Sequence, residues 1–162
     1  MKFAFTSTLV DLIRALRRDS QVPLFWEHRA FYTSNGANDT AEICERLGYQ
    51  VLKRADGPKG AAFLKKVGPH GIDTDHLELF GDQDVPEHEA FAVREPEFFD
   101  NVVVRLGSGG YSGVVRIPKF DQNGPELKVA IFALNSLGHL QIIWRKTPLF
   151  APEQVFNARN GG

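Results

Sequence analysis

From residue 76 onward the hydrophobic period of this sequence is two. HLELF, AFAVR, NVVVRL, GVVRI, LKVAIFAL and LQIIWR are short apolar runs, separated by FGDQDVPE, EPEFFD, GSGGYS, PKFDQNGPE and NSLGH. Side chains on a strand alternate between two faces, so runs of this length broken by Gly, Pro, Asn and Asp predict an antiparallel meander. In LKVAIFAL both alternating sets, Leu127 to Ala133 and Lys128 to Leu134, are largely apolar, which predicts a central strand.

The first part of the chain carries helical signals instead. Thr8 and Asp11 have the spacing of a capping box, followed by Leu9, Leu12, Ile13 and Leu16 at helical intervals. VPLFWEHRAFYTS (22–34) is aromatic and less periodic, and reads as a strand or hairpin arm. Asp39 is placed as an N-cap, with Glu42 three residues on, Ile43 and Leu47 on one face and Gly48 as the stop. YQVLKR reads as a strand, and Pro58 as the opening of a short helix PKGAAFLKKV closed by Gly68 and Pro69. The expected architecture is mixed α+β, a helix-rich N-terminal part packed on a largely antiparallel C-terminal β-sheet. A single domain over 1–156 with a mobile tail at 157–162 is expected, and no internal repeat is visible.

A chain of 162 residues is long enough to bury a core without staples, and its single cysteine, Cys44, excludes an intrachain disulfide and a four-cysteine zinc cage. That cysteine usage suits a reducing compartment, so the expected location is cytoplasmic, and no stretch has the length of a membrane span. Charge is uneven. Residues 1–70 and 102–162 are each at +4, whereas 71–101 hold ten acids against Arg94 alone. The acidic segment 73–100 could meet a basic protein partner, the reading of a non-enzymatic interaction or inhibitor module. The basic residues Arg17, Arg18, Lys53, Arg54, Lys59, Lys65 and Lys66, with a Gly57-Pro58-Lys59-Gly60 loop, are the candidates for contact with DNA or RNA phosphates.

PHGIDTDH (69–76) concentrates histidine and aspartate. Aligned as an EF-hand loop it puts Glu78 where the turn glycine belongs, which rejects that calcium site. His70 and His76 fit no common zinc spacing without a third ligand from Asp73, Asp75 or the distant His88. His28 and His139 read as interface or surface histidines, because no nucleophile and acid can be paired with them by spacing. The loop LGSGGYSGV departs from the protein-kinase glycine-rich loop at Ser112 and lacks the following lysine.

ERLGYQVLKR, a linking segment and GPHGIDTDHLELFGD run in the order helix, turn, strand, glycine, aspartate, apolar strand. Over residues 39–84 this resembles the restriction-endonuclease-like family of the PD-(D/E)xK type, with a degenerate motif. The resemblance implies a nuclease using magnesium or manganese, with Asp73, Asp75 and His76 as metal ligands, Asp73, Asp75, Glu126 and Lys128 as catalytic residues, and Glu42 or Glu45 as a helix acid. The E-x-K element is absent from HEAFAVRE and occurs only at Glu126-Leu127-Lys128, which would have to fold back beside the aspartates. The expectation is therefore a nucleic-acid-associated protein, a divergent metal-dependent nuclease in its sharpest form.

Overall fold

The computed structural model describes the backbone of residues 2–108, 111, 114–122, 125–134 and 138–150, and the side chains of 9–108, 111, 125–134 and 138–150. The tail 157–162 and residues 109, 110, 112 and 113 of the glycine loop lie outside the described residues. The order along the chain is α1 (Lys2–Ser20), β1 (Phe25–Tyr32), α2 (Ala37–Arg46), β2 (Tyr49–Ala55), β3 (Ala61–Val67), β4 (Asp73–Phe80), β5 (His88–Ala92), α3 (Pro96–Gly107), β6 (Val114–Gln122), β7 (Leu127–Leu134) and β8 (Gly138–Arg145). After α1, the order strand, helix, three strands occurs twice. In the first run Thr33 N donates to Phe80 O, and in the second Val93 N donates to Ile143 O, so the two runs correspond through their backbone bonds although their residues differ. The chain divides into two compact units, Trp26–Ala90 with Pro148–Gly162, and Met1–Phe25 with Phe91–Thr147.

In the first unit the strand order is β2-β3-β4-β1-β5. β1 and β4 are parallel, with Arg29 opposite Leu77, while β3 runs antiparallel to both β2 and β4. A parallel pair needs a long crossover, here supplied by α2, β2 and β3. Strand alternation then sorts the residues. Ala62, Leu64, Leu77 and Leu79 turn to one face and pack on Ala37 and Ala41 of α2, with Cys44, Tyr49 and Val51 at the margin. Phe63, opposite Glu78, and Lys65, opposite His76, turn to the other face. Ile43 and Leu47, the expected buried face of α2, are exposed, and the helix rests on its alanines instead.

The second unit holds α1, α3 and the antiparallel strands β6-β7-β8, with β7 central as its two apolar faces predict. α1 buries Leu9, Leu12, Ile13 and Leu16, and α3 buries Phe99, Val102 and Leu106. Each such side chain contributes about 1.5–3 kcal/mol of burial free energy.

The expected fold class is overturned: between Phe25 and Phe80 there is one helix and there are four strands, so the N-terminal part is not helix-rich. Two segments account for most of the difference between sequence and structure. PKGAAFLKKV contains β3, because Ala62 and Leu64 alternate into the core between two partner strands, and pairing on both edges outweighs local helix preference. NVVVRL lies in α3, because Pro96 opens the helix, Glu97 sits in its first turn, and Phe99, Val102 and Leu106 form an i, i+3, i+7 stripe. The helix α2 starts at Ala37, with Gly36 at φ 96° before it, so Asp39 lies in its first turn and not at the cap. No helix among the described residues is long and apolar enough to cross a membrane.

Candidate metal centre

On the face of the first unit opposite α2, three side chains from three strands converge. His28 is on β1, Glu78 on β4 and His88 on β5. The His28 and His88 Nε2 atoms are 3.3 Å apart. Glu78 Oε1 lies 3.3 Å from the first and 3.4 Å from the second. Both histidines are buried, at 1% and 6% exposure, and Glu78 is half-buried.

The spacing fits a metal ion. Ligands at about 2.1 Å from a common ion stand about 3.0 Å apart when at right angles and about 3.4 Å apart when tetrahedral. Three donors on one side of an ion leave its remaining positions open. The Nδ1 side of each ring is held by an acceptor, Glu27 Oε1 at 2.9 Å for His28 and Pro86 O at 2.8 Å for His88. Each Nδ1–H donates to that oxygen, which leaves both Nε2 atoms facing each other and the Glu78 carboxylate. A proton on His28 Nε2 bonds that carboxylate in the metal-free centre, and a divalent ion would take its place. Burial alone would push His28 down, but the hydrogen bonds and charges of Glu27 and Glu78 outweigh it and raise its pKa to about 9. Burial would likewise push Glu78 up, but the bonds and charges of His28 and His88 outweigh it and hold it at about 2.

Aromatic rings enclose the centre. Phe63 meets the His28 ring edge-on at 5.6 Å, Phe80 stacks on His88 at 6.4 Å, and Phe150 lies 6.5 Å from His28. Low polarity around the ligands strengthens their hold on a cation.

The residues expected from the sequence lie elsewhere. Asp73, 2% exposed, accepts from His76 Nε2 at 2.7 Å, with Lys65 Nζ at 3.9 Å. His76 Nδ1 donates to Glu27 O at 2.7 Å, and its ring stacks between Trp26 and Phe150. Asp75 bonds Arg29 at 2.8 Å and the Tyr49 hydroxyl at 2.6 Å, a contact that, with burial first, pushes the phenol up to about 12. Glu126 pairs with Lys146 and Lys128 with Asp100, all within the second unit. Glu42 is exposed and Glu45 pairs with Arg54. Removing the phenol in Tyr49→Phe is expected to lower stability by about 1 kcal/mol, read from urea unfolding, without altering metal binding.

Of the expected nucleic-acid contacts, Arg17 donates to the carbonyl of Leu24, Arg18 pairs with Asp19, and Lys59 lies 4.0 Å from Asp82. Lys66 sits over the Tyr49 ring, and Lys53 is exposed. Two residues of the acidic block are engaged within the chain: Glu89 accepts from the Trp26 indole at 2.6 Å, and the exposed Glu87 accepts from the Tyr32 amide at 3.1 Å.

The sequence reading passed over His28 and Glu78. The signal present was weak, a histidine in an otherwise apolar strand and an acid in HLELF, sixty and ten residues from the third ligand His88. Parallel pairing of β1 with β4 makes them neighbours, and no short motif encodes that pairing.

No protein-family model matches the chain, and no curated protein is significantly similar to it in sequence. Solved structures do resemble it. A variant of homoprotocatechuate 2,3-dioxygenase from Brevibacterium fuscum superposes with a TM-score of 0.53 at 16% identity, over 80% of this chain and 36% of that one. A hypothetical protein from Bacillus halodurans gives 0.51 at 16% identity, over 77% and 96% of the two chains. A protein from Staphylococcus aureus gives 0.50 at 10% identity, over 77% and 98%. The chain spans 36% of the dioxygenase's length. These likenesses overturn the resemblance to restriction endonucleases, and with it the nuclease and nucleic-acid-binding expectations, which no neighbour supports. At such identities the likeness speaks to the fold alone, and the neighbours are proteins of the vicinal-oxygen-chelate fold.

Proposed function

We infer that the protein is a divalent-metal enzyme whose ion is held by His28, Glu78 and His88 and which takes a small oxygen-donor substrate at the open side of that ion. The observation that carries this reading is the triangle of Nε2, Nε2 and Oε1 atoms 3.3–3.4 Å on a side, with both Nδ1 positions already committed to acceptors. A bound divalent ion would supply a Lewis acid that polarises a substrate oxygen. The chain's own residues orient the two imidazoles, place one carboxylate opposite them, and surround the centre with Phe63, Phe80 and Phe150. Oxygen-dependent chemistry on a catechol, the activity named for the Brevibacterium neighbour, is a second reading favoured by the two-histidine, one-carboxylate ligand set.

The test is cobalt(II) loading followed by visible absorption. One ion per chain should bind, and acetohydroxamate, a two-oxygen chelator, should shift the cobalt bands. Bands that ignore the chelator would remove the open positions and the proposal with them. Oxygen uptake by the iron(II)-loaded protein with catechols separates the second reading from the first.

Metal binding should also release a proton. His28, raised to about 9, carries one at neutral pH that the ion must displace, so affinity should climb about tenfold per pH unit and level off near pH 9. In the metal-free protein the sign is opposite: the stabilisation from His28 is complete below its unfolded pKa of about 6.5 and is lost as pH rises through about 9. Calorimetry in two buffers of different ionisation enthalpy reads the released proton. No buffer dependence at pH 7 would contradict this linkage.

A further inference from the structure

We propose that Glu27 is the positioning residue of the metal centre, fixing the tautomer of His28 and feeding charge into that one ligand; this rests on His28, Glu78 and His88 binding a divalent ion. Glu27 precedes His28 on β1, where alternation should send its side chain to the opposite face. Its carboxylate instead returns to His28 Nδ1, at 2.9 Å, in a residue only 6% exposed. Its own carbonyl is tied as well, accepting from His76 Nδ1 at 2.7 Å, so backbone and side chain of Glu27 are both anchored.

Burying a carboxylate is costly, and a neutral amide oxygen could accept the same Nδ1–H bond. What the carboxylate adds is negative charge. That charge holds the proton on Nδ1, keeps the Nε2 lone pair free for the ion, and makes the ring a stronger donor. The two histidines are thereby unequal, because His88 is backed only by the neutral carbonyl of Pro86 at 2.8 Å. Glu27 and Glu78 together carry two negative charges beside the rings, which a divalent ion balances.

The experiment compares wild type with Glu27→Gln and Glu27→Asp, using zinc(II) alone in competition with a chromophoric chelator, and cobalt(II) absorption. Glu27→Gln should bind one zinc ion about 10- to 100-fold more weakly, with shifted cobalt bands. Glu27→Asp, which keeps the charge, should recover part of that loss. Equal zinc affinity and identical cobalt spectra in wild type and Glu27→Gln would overturn the proposal. Should Glu27→Gln not fold, nitrogen NMR of the zinc-loaded wild type still decides. It should show the His28 ring protonated at Nδ1 and slow to exchange, and protonation at Nε2 would refute the assignment. A wild type that binds neither ion fails at the underlying centre, a result distinct from any difference among the variants.

Discussion

Glu78→Gln and His28→Ala proteins are expected to bind zinc(II) at least about a thousandfold more weakly than wild type while remaining folded. Site-bound zinc in small proteins is worth about 10–16 kcal/mol at neutral pH, and with three protein ligands each accounts for roughly a third of that, near 4 kcal/mol. Glutamine keeps the shape of Glu78 and removes the only anionic ligand among the three. Alanine at position 28 removes one nitrogen donor from a ring that is 1% exposed, so it also opens a cavity, and the glutamine variant is the cleaner measurement. Any rate that depends on the ion should fall with occupancy, and excess metal should restore part of it in His28→Ala. Zinc binding at wild-type affinity in both variants would show that the ion, if it binds, sits elsewhere.

Loss of stability without loss of metal is expected further along β4, at Asp73. Both ring nitrogens of His76 face oxygens at 2.7 Å, Asp73 Oδ2 and the Glu27 carbonyl, so the ring is tied at both ends. At 1% and 2% exposure the two residues form a buried hydrogen-bonded pair, with the His76 ring stacked between Trp26 and Phe150. Removing one partner of such a pair costs about 1–3 kcal/mol, because the buried polar group left behind loses its hydrogen bond. His76→Leu should fall at the upper end. Asp73→Asn should cost less, since the amide oxygen still accepts from the ring and Lys65, 3.9 Å from Asp73, is 26% exposed and keeps contact with solvent. Urea unfolding of the metal-free proteins reads the loss, and zinc competition on folded Asp73→Asn, which keeps the His76 bond to the Glu27 carbonyl, should match wild type within about threefold. If Asp73→Asn instead kept its stability and lost the metal, Asp73 would be a ligand, as the sequence alone suggested.

The three histidines illustrate how differently one residue type can be used. His76 sits between two acceptors and is saturated by the protein. His28 and His88 each have one acceptor behind and an open nitrogen in front. Local sequence does not separate these cases: His76 lies in DTDH, rich in apparent ligands, whereas His28 lies in WEHRAF and His88 in PEHEAF, which look structural. The acid next to His28 was visible, but strand alternation argues against the contact that Glu27 makes.

What the sequence determined by itself was local. The period of two through LKVAIFAL, HLELF and LQIIWR specified strands and which residues share a face, since a one-residue slip would turn the apolar set to water. The helical stripe of Leu9, Leu12, Ile13 and Leu16 likewise specified α1. Tertiary structure decided what competing local signals could not. AAFLKKV becomes a strand because it is paired on both edges, and NVVVRL becomes a helix because Phe99, Val102 and Leu106 need one buried stripe. It also decided the site: the parallel pairing of β1 with β4, with β5 beside β1, brings His28, Glu78 and His88 together across sixty residues. The free energy of that pairing comes from burying both faces of the sheet, a property of the assembled unit and of no single segment within it.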